Sequence, residues 1–215
     1  NQAGEIETEA ARFRADMALR DYAARAILVP MPVFAEQASS LQYDVDALSA
    51  AFRVDVEPIC LRLTALPPSD LRPRFGYYQA NAAGALTTVR NLEGLTAPRH
   101  ASACPLWVLF RAQQSPEGVL RQRALFPSGA RFVFLARARN TGPTGFGRPR
   151  HYLTDFLALT ESHARLTVYA PDDSVPVEEV GPACRICPRT RCTHRVDDPI
   201  SGDVSHPEIR QGNPD

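Results

Sequence analysis

Three cysteines lie within one short stretch near the C-terminal end of the chain. Two residues separate Cys184 from Cys187, and four separate Cys187 from Cys192. The two-residue gap lets two thiolates reach one metal from a tight turn, so this cysteine loop (residues 184–192) offers three ligands. Tetrahedral zinc and iron–sulfur clusters both need four ligands, and the spacing alone does not distinguish them. The chain therefore has to fold so that a fourth ligand from elsewhere reaches the loop.

The sequence offers three candidates for the fourth ligand. Cys104 lies in a turn at the start of an apolar run. His194 is so close to the last loop cysteine that the two are hard to place on one ion. Cys60 lies on the apolar face of a predicted helix, where a cysteine is commonly a small core residue. We rank the candidates in that order and predict a metal centre of four cysteines: Cys104, Cys184, Cys187 and Cys192.

The cysteine count and the charges around the loop bear on this prediction. Five cysteines, an odd number, fit a disulfide framework poorly, which favours a metal site in a cytoplasmic protein. Positive charge beside thiolates lowers their pKa and offsets the negative charge of a cysteine-bound cluster. An ordinary surface loop in an arginine-rich chain is the alternative interpretation. The arginines concerned are Arg185, Arg189, Arg191 and Arg195.

Overall composition excludes some classes of protein. The formal net charge is zero, which argues against binding nucleic acid or membrane by bulk electrostatics. No stretch approaches the roughly 20 apolar residues of a membrane span. All 24 basic residues are arginine, a bias that fits either a GC-rich genome or phosphate recognition.

Apolar periodicity and prolines divide the chain into three predicted regions. Residues 1–70 form a helical region, with helices over Glu5–Met31 and Phe34–Leu41 and then a helix pair capped by Asp44 and Asp55. The pair resembles a DNA-binding helix-turn-helix, although simple packing of two amphipathic helices is the favoured interpretation. Residues 71–180 form an α+β domain, and residues 181–215 form the cysteine-rich loop and tail.

Within residues 71–180 the pattern is mostly that of strands, in two hairpins and a later run. We therefore predict an α+β fold in which an N-terminal helical segment precedes an antiparallel sheet with flanking helices. The segment 162–169 fits a helix or a strand, and the glycine-rich loop 140–150 fits a ligand-contacting loop or a mobile tip. The predicted strand segments are Phe75–Ala80, Ala85–Val89, Val119–Phe126, Arg131–Ala138 and His151–Leu159, and Trp107–Arg111 is a short apolar run between the two hairpins.

Enzymatic motifs are missing from the sequence. None of the five histidines lies in an HExxH helix, and there is neither a nucleophile elbow nor a phosphate-binding Walker loop. We therefore predict that the chain is not an enzyme. A thiol enzyme that uses Cys60 or Cys104 is the weakest alternative.

Several segments together resemble one bacterial family, the short-chain fatty acyl-coenzyme A (CoA)-responsive transcriptional regulators. The Cys-Pro-Leu-Trp element and the cysteine loop are the specific parts of a resemblance that covers nearly the whole chain up to Ile200. The segments that carry it are Tyr22–Pro30, Tyr43–Leu48, Arg62–Leu66, Ala103–Trp107, Phe134–Arg137, Val168–Ala170 and residues 184–192.

The resemblance implies a sensor of CoA thioesters such as propionyl-CoA that controls genes of propionate metabolism through the methylcitrate cycle. It also implies that the four cysteines hold an iron–sulfur cluster, most simply [4Fe–4S], and that DNA is bound by a helix-turn-helix domain preceding this piece. Since the chain begins at Asn1, we expect it to be part of a longer protein. We also expect it to assemble as a homo-oligomer. A zinc-stabilised interaction domain without a small ligand is the alternative.

A CoA-binding site needs arginines for the phosphates and an apolar slot for the pantetheine arm. Three candidate arginines flank the glycine-rich loop, and one precedes Cys104. The phosphate candidates are Arg99, Arg137, Arg148 and Arg150, and the candidate apolar walls are Trp107 and Tyr169.

Overall fold

The computed structural model describes residues 8–98, 102–116, 118–143, 145–172 and 174–200. The chain divides between Pro67 and Pro68 into two compact units, which we call the helical unit and the sheet unit. The cysteine loop belongs to the sheet unit and is not a separate body. Among the described residues, no helix combines the length and apolar composition that a membrane span requires.

The described part of the helical unit consists of four helices, as the apolar periodicity predicts. The first begins after Thr8, whose side chain accepts a hydrogen bond from the backbone N–H of Ala11 at 3.1 Å, and it buries none of its residues. The helices are α1 Glu9–Leu28, α2 Met31–Ser40, α3 Val45–Phe52 and α4 Val56–Thr64.

The predicted helix pair corresponds to α3 and α4. The Asp44 carboxylate caps α3 by accepting from two backbone N–H groups of its first turn at 2.9 and 3.1 Å. Asp55 takes the equivalent position before α4, but its side chain makes no capping hydrogen bond. Arg62, which is the only basic residue of α4, is 4% exposed. Because α4 offers no exposed basic side chain to DNA, the structure favours a packed helix pair.

The sheet unit contains one six-stranded sheet in its described residues, in the order β2-β1-β5-β4-β3-β6. Neighbouring strands from β2 to β3 run antiparallel, whereas β6 runs parallel to β3. The strands are β1 Gly76–Ala80, β2 Leu86–Arg90, β3 Leu120–Leu125, β4 Arg131–Asn140, β5 Tyr152–Thr160 and β6 Val177–Glu179.

The prediction of a purely antiparallel sheet is therefore wrong, because β6 makes the sheet mixed. This strand has only three residues, too few to show the alternating pattern by which a half-buried strand is recognised. It joins the sheet through backbone pairing with residues 123–125 of β3, a long-range contact that local sequence does not encode. β6 lies close before the cysteine loop in the chain and carries that loop toward β3.

The short apolar run Trp107–Arg111, which the sequence does not assign to a helix or a strand, begins the helix α5 Val108–Gln114. A short apolar run fits a buried helix and a buried strand equally well, so periodicity cannot decide between them. The tertiary structure decides, since Leu109 and Ala112 of α5 pack into the core against one face of the sheet. At 162–169, where either structure was expected, a short helix α6 Glu161–Ala164 is followed by turns.

Aromatic rings fill the core between α5 and the sheet. The indole of Trp107 is fully buried and stacks on Phe156, with ring centroids 5.3 Å apart and an interplanar angle of 7°. Phe134 lies 5.2 Å from the same indole. Burial of each large apolar side chain contributes about 1.5–3 kcal/mol. This cluster fixes the position of the turn that carries Cys104.

Candidate metal centre

Two segments that are distant in the sequence meet beside this core. The backbone N–H of Cys104 donates to the carbonyl oxygen of Pro182 at 3.2 Å, and the N–H of Gly181 donates to Cys104 Sγ at 3.4 Å. The indole N–H of Trp107 donates to the carbonyl oxygen of Gly181 at 2.7 Å. Gly181 and Cys104 are 77 positions apart in the chain, so the contact is purely tertiary.

The turn around Cys104 is held from below by Gln122 of β3, whose side chain is fully buried. Its amide oxygen accepts from the backbone N–H of Val108 at 2.9 Å. Its amide nitrogen donates to the carbonyl oxygen of Leu106 at 2.8 Å and to the carboxylate of Glu178 at 2.7 Å. One buried side chain therefore fastens the turn to both β3 and β6.

The cysteine loop begins with a short 3-10 helix over Cys184–Ile186. Its main chain is tied down by Arg195, whose guanidinium donates to the carbonyl oxygens of Cys184 at 2.7 Å and Cys187 at 3.1 Å. The backbone N–H of Val196 lies 3.5 Å from Cys184 Sγ. The loop thus closes on itself through polar contacts.

A cavity of about 200 Å³ lies between the turn and the loop. Its walls include all four predicted cysteine ligands, together with His194 and three arginines. Cys60 is buried in α4 of the helical unit and is not part of these walls. Among the described residues, no group of three or more His, Cys, Asp or Glu side chains is arranged so that it could hold a metal ion. The cavity brings the predicted ligands together, and metal binding by them stays a prediction.

The surroundings of Cys104 suit a ligand whose charge is neutralised on binding. Burial raises the pKa of the Cys104 thiol, backbone N–H groups of Gly181 and Leu106 lower it, and the nearby Cys184 and Cys187 raise it further. Without a cation the neutral thiol is therefore favoured. A bound metal would favour the thiolate, and the two N–H donors would stabilise that charge.

The space around the sulfur atoms depends on Gly181. A Cβ atom at this position would lie 2.6 Å from Cys187 Sγ and 4.0 Å from Cys104 Sγ. The first distance is far shorter than van der Waals contact, so any side chain here would displace Cys187. Only glycine leaves the cradle open, and the residues present fit a thiolate-bound group on this observation.

Positive side chains surround the cavity, as the sequence predicts. Arg189 pairs with Glu179 and donates to the carbonyl oxygen of Leu125 at 3.2 Å, which ties the loop to the sheet. Arg191 and Arg195 also line the cavity, whereas Arg185 is exposed and is not among the lining residues. Three of the four predicted arginines therefore contribute to the walls.

None of the described residues that were predicted to contact CoA lines this cavity. Trp107 is a core residue, Tyr169 is half-buried in a turn, and Arg137 lies on β4 opposite Asp155 of β5. Arg148 and Arg150 are exposed on the loop between β4 and β5. Arg99 lies outside the described residues. Their role in binding CoA stays a prediction.

Sequence reasoning missed three residues that build the site, namely Gly181, Gln122 and Arg195 as the organiser of the loop. Of these, Gly181 was the easiest to predict from the sequence, because a Gly-Pro pair just before a candidate metal-binding loop indicates close backbone approach. Nothing in the local sequence distinguishes Gln122 from an ordinary surface glutamine. Its role appears only when β3 is placed beneath the turn.

Comparison with known proteins agrees with these features. The sequence profile of the family described as "Short-chain fatty acyl coenzyme A regulator, C-terminal" matches residues 74–213. This range corresponds to nearly all of the sheet unit and includes all four cysteines of the candidate metal centre.

Two curated relatives match almost the whole chain. The "HTH-type transcriptional regulator PrpR" of Mycobacterium tuberculosis is 31% identical over 210 residues, which cover 94% of this chain and 42% of the relative. The "Propionyl-CoA carboxylase regulator" of Cereibacter sphaeroides is 32% identical over 198 residues, covering 91% of this chain and 43% of the relative. The chain therefore spans about two fifths of the length of these relatives.

A solved structure described as "Mycobacterium tuberculosis transcriptional regulator" has the same fold. It superposes with a TM-score of 0.81 at 30% sequence identity and covers 94% of this chain and 63% of that chain. The names of these relatives are those of transcriptional regulators, not enzymes.

Proposed function

This chain belongs to the short-chain fatty acyl-coenzyme A regulators, and from that premise we propose that it is the sensor part of a transcriptional regulator of propionate metabolism. We further propose that it binds CoA or a short-chain acyl-CoA such as propionyl-CoA. The third part of the proposal is an iron–sulfur cluster held by the thiolates of Cys104, Cys184, Cys187 and Cys192.

One observation carries the proposal of a metal centre. Four cysteines from two distant segments line a single cavity beside the core. Four thiolates in one cavity suit a cubane iron–sulfur cluster and also a tetrahedral zinc ion. The proposal of a cluster over the zinc-stabilised alternative rests on what the resemblance to the acyl-CoA regulators implies, and metal analysis decides between the two.

The chain's own residues have separable roles in this proposal. The four thiolates would be the ligands, and the N–H groups of Gly181 and Leu106 would stabilise the Cys104 sulfur as a negative charge. Arg189, Arg191 and Arg195 would offset the net negative charge of a thiolate-bound cluster. When bound, an iron–sulfur cluster supplies a structural cross-link and a one-electron redox centre.

The acyl-CoA proposal has support of a different kind. It comes from the family and from a relative named for propionyl-CoA carboxylase regulation, while arginines suited to phosphates are exposed around the loop between β4 and β5. A ligand that prefers one arrangement of the sensor would shift its population and so reposition a DNA-binding region. Binding of DNA would be a property of the longer protein, since relatives named HTH-type extend beyond this chain.

Metal content is the first test. The chain is purified without oxygen, its absorption spectrum is recorded, and iron, sulfide and zinc are measured. We expect a brown protein with about four irons and four sulfides per chain, as four thiolates around a cubane cluster predict. Stoichiometric zinc without iron would contradict the cluster and support the zinc-stabilised alternative. Protein without any metal would contradict the proposed metal centre.

A matched pair of variants shows which cysteine is the fourth ligand. Cys104→Ala should lose the cluster, whereas Cys60→Ala should keep it, because Cys60 is buried in the helical unit and does not line the cavity. The reverse result would show that Cys60, and not Cys104, is the fourth ligand.

Ligand binding is tested by isothermal titration of the cluster-loaded chain with propionyl-CoA, with free propionate as the control. We expect binding of the thioester and none of the free acid, since the family's ligand carries the phosphates that arginines recognise. The double variant Arg148→Gln/Arg150→Gln tests the exposed loop and should weaken binding. The absence of propionyl-CoA binding at millimolar concentration would overturn the sensor proposal and leave the cluster proposal standing.

A further inference from the structure

Arg195 is bonded to the main chain at every cysteine of the loop. Its Nη1 donates to the carbonyl oxygen of Cys184 at 2.7 Å, and its Nη2 donates to those of Cys187 at 3.1 Å and Arg189 at 2.6 Å. The backbone N–H of Arg195 donates to the carbonyl oxygen of Cys192 at 3.3 Å. One residue therefore sets the relative positions of the three peptide segments that carry the loop thiols.

The planar guanidinium is what makes this possible. Its N–H groups diverge in a fixed fork, so one side chain can serve acceptors that lie in different directions. A fourth carbonyl oxygen, that of Asp197, lies 3.2 Å from Nη1. A lysine ammonium has three donors on one atom and cannot span the same set of acceptors. Charge and geometry can therefore be separated by experiment.

The other arginines of the cavity wall are bonded differently. Arg189 points its hydrogen bonds outward, to Glu179 and to Leu125 of β3. Arg191 is exposed but also lines the cavity. Arg185 lies in the same loop, is exposed and does not line the cavity. Arg185 therefore offers a matched control, with the same charge and the same loop but without the carbonyl contacts of Arg195.

A second observation links Arg195 to the cavity. Arg195 is one of the lining residues, and its Nε is buried without a hydrogen-bond acceptor among the described residues. A buried N–H without an acceptor is less stable than one that has a partner. The Nε of Arg189, which also lines the cavity, lacks an acceptor in the same way among the described residues. An anionic group in the cavity would supply acceptors of the kind that these N–H groups lack.

We propose that Arg195 is the positioning residue of the metal centre, and that its guanidinium holds the thiols of the cysteine loop around the cavity before a metal arrives. The inference rests on the proposed metal centre for its purpose. The positioning itself is a property of the metal-free chain. The main chain of the loop is then in place before the metal arrives, and the metal has to draw the thiols together around itself.

The test compares Arg195→Lys, Arg195→Gln and the control Arg185→Gln in the 215-residue chain. Near-ultraviolet circular dichroism of the buried Trp107 first verifies that the sheet unit is folded in each variant. Hydrogen exchange of the loop amides is then measured in the metal-free protein. Affinity for Co²⁺ is measured by competition with a chelator, with the thiolate-to-cobalt absorption band as the signal.

Arg195→Lys and Arg195→Gln should both speed exchange of the loop amides by about tenfold or more, because several hydrogen bonds are lost together. Both should weaken Co²⁺ binding by about 10–100-fold, the range seen when a residue that orients metal ligands is lost. Arg185→Gln should stay within about twofold of the parent in both measurements, as expected for an exposed charge outside the cavity.

Two results would overturn the positioning role. If Arg195→Lys behaved as the parent and only Arg195→Gln were impaired, the charge would matter and the fork would not. If both matched Arg185→Gln, Arg195 would have no special part. Should the parent chain bind neither Co²⁺ nor a cluster, the proposed metal centre fails, yet the exchange measurement still decides whether Arg195 orders the loop.

Discussion

The two halves of the candidate metal centre are held in place by different forces. The half that carries Cys104 leads directly into the core, where Trp107 is fully buried and Gln122 fixes the turn. The cysteine loop buries little apolar surface of its own, since Ile186 is 49% exposed and Val196, just after it, is 69% exposed. Hydrogen bonds to main-chain carbonyls hold the loop instead.

This difference determines how each half should respond to damage. Packing of an aromatic side chain contributes several kcal/mol and forms with the sheet, whereas a single hydrogen bond contributes about 0.5–1.5 kcal/mol net. The turn should therefore be as stable as the core. The cysteine loop should open more readily than the turn, and bound metal should raise the stability of the loop more than that of the turn. The predictions below separate the two halves, from the largest expected effect on stability to the smallest.

The first prediction tests the core-held half. Trp107→Ala removes the ring that stacks on Phe156 and donates to Gly181, so it should lower the free energy of unfolding by about 3–5 kcal/mol. Urea denaturation measures the loss. Phe146→Ala is the control, since that ring is fully exposed, and its effect should be within about 0.5 kcal/mol. Equal effects of the two changes would mean that the turn is not anchored by the core.

The second prediction separates the effect on stability from the effect on metal loading by substituting two glutamines, Gln122 of β3 and Gln113 of α5. Gln122→Leu leaves the N–H of Val108 and the carbonyl oxygen of Leu106 without partners, at a cost of about 1–3 kcal/mol. It should also reduce metal loading, because the Cys104 turn loosens.

The control is Gln113→Leu, which removes hydrogen bonds to Asn81 and Thr154 on the other side of α5. It should lower stability without changing the metal content per folded chain. Unfolding and metal analysis are measured on the same samples. Full metal loading of Gln122→Leu would show that the turn does not need this anchor.

The third prediction concerns the space at the sulfur atoms. Gly181→Ala places a Cβ against Cys187 Sγ, and because the loop can shift, the cost to unfolding should be about 1 kcal/mol, the low end for overpacking. Metal loading should fall sharply, since the displaced thiol is a proposed ligand. Gly76→Ala on β1 would place a Cβ atom 2.7 Å from the Cβ of Leu92, and it should leave metal loading unchanged. A loaded Gly181→Ala protein would contradict the cradle.

The last prediction is a pH effect on the metal-free chain. Folding raises the pKa of the Cys104 thiol above its ordinary value of 9.0, chiefly through burial. The folded state therefore holds this proton more tightly than the unfolded state, and stability from this source is present below pH 9.0 and is lost as pH rises through the raised pKa. Denaturation midpoints at about pH 8 and 10 should differ less in Cys104→Ala than in the parent. An identical pH dependence would remove Cys104 as the cause.

Much of the fold was predictable because its signals are local. Helices α2 to α4 show apolar periodicity and bury one face, whereas α1 buries none of its residues. Strands β1 to β5 lie within two residues of their predicted bounds where turns punctuate the pattern. The elements that were not predicted share one cause. The segment at α5 and the strand β6 are short, so their local patterns fit more than one structure, and packing against the sheet selects the one that forms.

The candidate site divides along the same line. The spacing of Cys184, Cys187 and Cys192 by itself predicts a loop with three thiol ligands, because two- and four-residue gaps constrain only nearby atoms. That Cys104 completes the set was a ranking from sequence, and only the tertiary structure brings it to the same cavity. Gly181 and Gln122 act through contacts with distant main chain, and such contacts exist only after β3, β6 and the turn have come together. Arg195 instead bonds carbonyl oxygens of its own loop, and spacing does not show that the loop folds back onto this side chain.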